Sequence, residues 1–316
     1  MVVGDAHHSD YAPVSRADNY TEEMLNEERE ISKLSLELKV DAVIRTGDII
    51  HIKSPSKTSH RLISELISIY KTITCKNLSI VGNHDISFGQ LASLSSQPIW
   101  SLVQSGVLEF IPETGQSPIS IGNVNLWGIY GYGDPDGEDK TRYVVPQGEK
   151  VNIVVTHSFL LPENTKFPGV VKVTHMSDIN NSGVDLFLGG HIHDHMGISR
   201  YQDTWLAMPG SISRGSIKEF TKDRMPVVTL VEISGKGSFK FEEIPLKSAR
   251  PNKEIFKPNI VDSELDSPFI SETSSNSVSN FVDLRSEKEF SLDAEIRDAI
   301  NEEKLRREPG EYLLSL

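Results

Sequence analysis

Cysteine is almost absent from this 316-residue chain: Cys75 stands alone, which excludes an internal disulfide and suits a reducing, cytoplasmic setting. Long apolar runs are missing too. No stretch approaches the ~20 consecutive apolar residues that span a bilayer, and no charged N-terminal region leads into an apolar run, so neither a membrane partner nor a secretory signal is expected. Basic residues are in deficit, 32 Lys+Arg against 45 Asp+Glu for a net charge of −13. That balance argues against broad nonspecific attraction to nucleic acid or anionic lipid, and it leaves a local site open.

The acidity is uneven. Residues 251–316 carry 8 Lys+Arg and 15 Asp+Glu, a net of −7, which leaves −6 for residues 1–250. A boundary near residue 250 follows. Beyond it, FISETSSNSVSN is serine-rich and poor in large apolar residues, so 251–290 reads as an acidic linker. Residues 291–316 open with Ser291 as a cap and acids in the first turn. Lys304, Arg306 and Arg307 lie near the end of that run, and Pro309-Gly310 stops it, which predicts a helix. Leu292, Ile296, Ala299 and Ile300 share one face of it, a pattern suited to docking a partner or the chain's own body.

The body alternates strand and helix. The runs beginning at Asp41 (DAVIRTG) and Asn77 (NLSIVG) are short, apolar and β-branched, and each ends in glycine, as buried strands do. Between them, Leu62, Ile63, Leu66, Ile67 and Tyr70 have the spacing of one helical face. A second helix, with a polar face rich in glutamate, is predicted over roughly 21–38. Later strands begin at Val124, Val151 and Val184, and the two runs flanking Gly235-Lys236-Gly237 read as a hairpin. Strand–helix alternation followed by a strand-rich half predicts a layered α/β fold.

Polar residues gather where those strands end. In order they are Asp5 and His7, Asp48 and His51, Asn83 with His84 and Asp85, His157, and His191 with His193. Ligands of open α/β sheets bind at the carboxyl ends of the strands. Carboxylate, amide and imidazole together suit Mn, Fe or Zn rather than calcium alone. Two such cations ~3.5–4 Å apart, bridged by one carboxylate, would orient a hydroxide against a phosphate ester and neutralise its developing charge.

The order D-x-H, G-D-x-x-H, G-N-H-D, a lone His and G-H-x-H resembles the calcineurin-like metallophosphoesterase superfamily across about residues 1–245. The resemblance implies an α/β/β/α sandwich and a two-metal phosphoester hydrolase. It implies that Asp5, His7, Asp48 and His193 hold one divalent cation and that Asp48, Asn83, His157 and His191 hold the other, with Asp48 bridging. His84 would protonate the leaving oxygen or stabilise the transition state, Asp85 would orient His84, and His51 would help position the phosphate or the proton. Within the superfamily, GDIIHIKSPSK is similar to the second motif of SbcD-like DNA repair nuclease subunits, where most phosphatases have Asp or Asn in place of His51. The stretch MPGSISRGS, Met208–Ser216, resembles a Gly-Ser-x-x-Arg segment of the same branch. That branch implies Mn²⁺-dependent exonuclease and endonuclease activity in DNA repair or recombination, with Fe²⁺ or Zn²⁺ as other metals it could take. Its implied partners are DNA and an SbcC-like ATPase, with a homodimer as an assembly it allows. The alternatives are a general metallophosphoesterase acting on a nucleotide, phosphoprotein or small phosphate ester, and a scaffold without nuclease activity.

The remaining histidines read more plainly. His8 follows a ligand and should point away from it to the surface. His60 opens a helix and should be solvated, His175 reads as a loop residue, and His195 reads as lying outside the ligand set, with support of a ligand as the less favoured alternative. Arg214, Lys53 and Lys57 read as a solvated face with some reach toward phosphate, and Trp100, Trp127 and Trp205 as core.

Overall fold

A computed structural model describes residues 1–13, 15–51, 58–166, 170, 172–215 and 224–257. The chain runs β1 (Val2–Val3), α1 (Tyr20–Glu37), β2 (Ala42–Arg45), α2 (His60–Tyr70), β3 (Lys76–Ser79), α3 (Ile99–Gln104), β4 (Glu109–Phe110), β5 (Ile119–Ile121), β6 (Val124–Ile129), β7 (Val151–His157), β8 (Leu160–Leu161), β9 (Thr174–His175), β10 (Leu186–Gly190), β11 (Gly197–Tyr201), β12 (Thr204–Met208), β13 (Val227–Gly235), β14 (Ser238–Pro245) and α4 (Asn252–Ile255). Two six-stranded sheets form, in the orders β14-β13-β1-β2-β3-β4 and β11-β12-β10-β7-β6-β5, with β8 and β9 paired apart from them. The strands β1 to β4 pair in parallel, as do β6, β7, β10 and β12.

Side-chain alternation explains the layering. On β2, Ala42 and Ile44 join Leu126, Ile153, Leu186 and Leu188 in the space between the two sheets, while Val43 and Arg45 turn toward α1 and α2. On the second sheet, Val154, Phe187, Leu206 and Trp127 face the other way, against Tyr143, Leu160, Leu161, Met176 and Ile179. The sandwich is therefore the layered α/β fold expected. Its outer layer on that side is built from 3-10 turns and the β8–β9 pair.

Helix α1 departs from a simple amphipathic pattern. Glu23, Glu27 and Glu28, read in the sequence as part of a polar face, are buried beside Met24, Leu25 and Ile31. Glu28 accepts both Nη atoms of Arg45 at 2.7 and 2.8 Å, together with Tyr70 Oη at 3.2 Å. Burial alone would raise its carboxyl, but the Arg45 guanidinium overrides that and holds it at about 2. The body extends past residue 250: Ile255 and Phe256 are buried, and Ile255 O accepts the Ala17 N–H at 2.8 Å. The rest of the 251–290 linker, the helix over 291–308, and Lys53 and Lys57 lie outside the described residues. Among the described residues no helix is long and apolar enough to cross a membrane.

Candidate metal centre

The parallel strands of both sheets end along one edge, and the polar residues of five loops meet there. Leaving β1, the chain turns at His7, whose backbone is left-handed with φ 50°; Asp48 after β2 has φ 49° and His191 after β10 has φ 73°. Such conformations cost on the order of 1–3 kcal/mol each in a residue other than glycine and persist only where the surroundings over-determine them. Here they are pinned. Asp48 O accepts the N–H groups of Ala6 and His7, and the Asp48 N–H is donated to Asp85. The His191 N–H is donated to Asp5 Oδ2 at 2.8 Å.

All seven residues expected as ligands come together. Asp48 Oδ2 lies 3.2 Å from His157 Nε2 and 3.7 Å from His7 Nε2, so one oxygen faces both halves of the cluster. Around His157 Nε2 stand Asn83 Oδ1 at 2.9 Å and His191 Nδ1 at 3.2 Å. On the other side, the ligand atoms of Asp5, His7 and His193 lie within 4.8 Å of one another, with His7 Nε2 and His193 Nε2 2.8 Å apart. His157 Nδ1–H donates to Thr46 O at 2.9 Å, which fixes the tautomer and leaves Nε2 to face the cluster. Nitrogen lone pairs and carboxylate oxygens converging in a buried place are a donor set for cations.

The electrostatics agree. Burial pushes Asp5 up to about 7, and the nearby Asp48 charge adds to it against His157. Burial would also raise Asp48, but the His157 and His84 imidazoles hold it well below the usual carboxylate range. His157 shifts the opposite way: burial lowers it, the charges of Asp48 and Asp5 outweigh burial, and it rises to about 10. The two carboxylates thus favour positive charge at this place.

A second grouping sits alongside. His7, His51 and His84 offer ring nitrogens within 4.8 Å of one another, and the His51 and His84 rings stack with centroids 4.9 Å apart. His84 Nδ1–H donates to His51 O at 2.8 Å, and its backbone N–H donates to Asp48 Oδ1 at 2.8 Å.

Four sequence readings change. Asp85, expected to orient the His84 ring, accepts backbone N–H groups of Gly82 and Asp48 at 2.9 Å and of Ile50 at 3.3 Å, so it braces two loops while the His51 carbonyl sets the ring. His8 points away from the cluster as alternation requires, but α1 covers that side, and His8 is buried with Nε2 3.0 Å from Glu28 Oε1. Arg214 is buried rather than solvated. It donates to Arg250 O, Asn252 Oδ1 and Glu23 Oε1, which leaves it no reach toward phosphate. His60 is exposed as read. His175, read as a loop residue, instead lies in β9, paired with Leu161, and donates Nε2–H to Thr165 O. His195 pairs with Glu243 at 2.7 Å, and Trp127 is buried.

Three further residues at the site lie outside the expected ligand and catalytic set. Thr46 donates Oγ1–H to Asp5 Oδ1 at 2.9 Å and supplies the carbonyl for His157. Ser211, in the Met208–Ser216 stretch, donates Oγ–H to Asp5 O at 2.7 Å. Gly131 carries no side chain for a spatial reason, because a Cβ there would lie 2.6 Å from His157 Cδ2 and 2.8 Å from Asn83 N. The Thr-Gly-Asp sequence, with a hydroxyl residue at the strand end, hinted at Thr46, and the Gly-Ser-x-x-Arg segment contains Ser211, while no motif marked Gly131.

Stacked sheets with a carboxylate–imidazole cluster at one edge define a metallohydrolase. The family model described as calcineurin-like phosphoesterase matches residues 1–195, and the chain belongs to that family, whose members hydrolyse phosphoesters with two divalent metal ions. Among curated proteins none matches the chain. Similar solved structures include a dimetal phosphatase from Danio rerio, 13% identical with a TM-score of 0.47, covering 78% of this chain and 98% of that one. Another is TT1561 of Thermus thermophilus, 10% identical with a TM-score of 0.45, covering 77% of this chain and 96% of that one.

Proposed function

We propose that this chain is a two-metal phosphodiesterase of SbcD type, a Mn²⁺-dependent DNA exonuclease and endonuclease subunit acting in DNA repair or recombination. The observation that carries the reading is His51. The second motif supplies an imidazole here where most phosphatases of the superfamily supply Asp or Asn, and that ring stacks on His84 beside the bridging Asp48. Asp5, His7, Asp48 and His193 would hold one cation, and Asp48, Asn83, His157 and His191 the other. When bound, the pair supplies Lewis acidity toward the phosphate and activates the attacking water. His84, with Nδ1–H given to His51 O, would as an imidazolium hand its Nε2 proton to the leaving oxygen, and an imidazole suits that task near neutral pH.

The partners on this reading are DNA and an SbcC-like ATPase. The body's net charge of −6 favours weak binding to naked DNA with a modest salt slope, because affinity grows with the number of phosphates neutralised. The isolated chain is then a poor, nonprocessive nuclease that improves with its ATPase. The apolar face of residues 291–308 is the proposed docking element, and removing residues from Ser291 onward is expected to abolish capture of the ATPase. The deciding experiment incubates purified protein and Mn²⁺ with linear duplex DNA, single-stranded DNA, a chromogenic bis-phosphodiester and a phosphomonoester side by side. Cleavage of DNA and diester supports the reading. Turnover of the phosphomonoester with DNA untouched replaces it with a general metallophosphoesterase.

A further inference from the structure

His191 is held unlike the other imidazoles of the centre. The residue is half-buried with a left-handed backbone, and its ring contacts two others: His157, with centroids 4.8 Å apart, and Phe159, with centroids 4.4 Å apart at 76°. The edge-to-face contact with Phe159 restricts the rotation of the ring that carries Nδ1.

Phe159 is fixed in turn at both of its backbone groups. Its N–H is donated to Asp136 Oδ2 at 2.9 Å, and its carbonyl accepts the Thr174 N–H at 3.0 Å. The Thr174 hydroxyl then donates to Asp136 Oδ1 at 2.9 Å, which closes a ring of three hydrogen bonds around one residue. Asp136 is buried on the loop that follows β6, the loop whose Gly131 lies against His157. One buried carboxylate thus holds the backbone that carries the half-buried phenyl ring, through Oδ2 directly and through Oδ1 by way of Thr174.

We propose that Phe159, anchored by Asp136, is a positioning residue that fixes the His191 ring so that Nδ1 faces the Asp48–His157 half of the metal centre. The proposal rests on the two-metal reading. Phe159 makes no bond to a cation and takes no part in proton transfer. Its effect is on the direction and rotational freedom of a ligand, and outer partners of metal ligands typically alter affinity ~10–100-fold.

The test uses the full chain with Co²⁺ as the probe, read by titration calorimetry and by the visible absorption of the bound ion. Phe159→Leu keeps an apolar side chain and removes the flat ring. It is expected to weaken one of two Co²⁺ sites by ~10-fold or more and to change the Co²⁺ spectrum, with the metal-free unfolding midpoint within ~4 °C of wild type. Phe159→Tyr keeps the ring and should restore both readouts. Asp136→Asn, which offers one acceptor oxygen where the carboxylate offers two, should fall between them. Wild-type affinity and spectrum in Phe159→Leu overturn the proposal, and so does a change confined to KM for a diester, since that would make Phe159 a substrate contact. Failure of the wild type to bind two equivalents of Co²⁺ is a different result and removes the two-metal reading itself.

Discussion

The carboxylate of Asp85 accepts the backbone N–H of Asp48 at 2.9 Å, tying the third motif to the residue that faces both halves of the metal centre. The same oxygen accepts the Gly82 N–H and its companion accepts the Ile50 N–H, so three amides of two loops converge on one buried group. Asp85→Asn cannot satisfy them. Its amide nitrogen must face an N–H, leaving a buried donor unpaired at a cost of ~1–3 kcal/mol. Denaturant unfolding should show that loss, and Mn²⁺ calorimetry should show affinity reduced ~10-fold or more. Unchanged values of both would mean the loops are held by other contacts.

Asp48 carries a different prediction, because one of its oxygens is shared. Oδ2 faces His7 and His157, while Oδ1 accepts the His84 N–H. Removing it in Asp48→Ala leaves two cations without the charge between them, and their mutual repulsion rises. Metal analysis of protein loaded with excess Mn²⁺ should find two equivalents in wild type, fewer than one in Asp48→Ala, and no hydrolysis by that variant. His191→Ala should likewise lose hydrolysis and the bridged pair.

His84→Gln separates binding from chemistry. Gln can still present a donor to His51 O, and none of the Asp48 contacts to His157 or His7 passes through the His84 ring. Mn²⁺ stoichiometry should therefore remain at two. Diester hydrolysis should fall at least ~10²-fold, the scale for losing a positioned acid or base. Near-normal turnover would assign the proton to another group, and His51 is the neighbour to test next.

Much of the centre was legible because its residues sit in short motifs that directly follow apolar strands, and strand direction carries them to one edge. Strand β2 shows both the strength and the limit of that logic. Alternation correctly turns Arg45 away from the inter-sheet core, yet its partners Glu28 and Tyr70 come from two helices with no local mark of the pairing. His8 fails for a related reason: its direction followed from alternation, but the burial depended on α1 passing over it. Arg214 finds Glu23 across 191 positions of sequence, and the Asp136–Phe159 contact joins two loops. Contacts of that kind leave no periodicity to read. The left-handed backbones of His7, Asp48 and His191 are equally silent, since strain is imposed by the assembled site rather than by residue type.

Glu27 gives the fold a pH dependence of definite sign. It is buried on α1, neither carboxylate oxygen accepts a hydrogen bond among the described residues, and Arg214 Nη2 is 3.7 Å away, too far for one. Burial therefore prevails over the Arg214 charge and raises the carboxyl from its ordinary 4.5 to about 8. A folded value above the unfolded one means the folded chain takes up a proton, so the contribution is fully present below about 4.5 and is lost as pH rises through about 8. Glu27→Gln has no proton to lose. Its stability relative to wild type should rise between pH 5 and pH 9 by on the order of a few kcal/mol. Taking the difference between the two proteins cancels Asp5 and Asp85, which burial also raises, to about 7. Urea unfolding of both proteins at pH 5, 7 and 9 measures it, and parallel stability curves would show that Glu27 is ionised in the folded chain and paired with Arg214 after all.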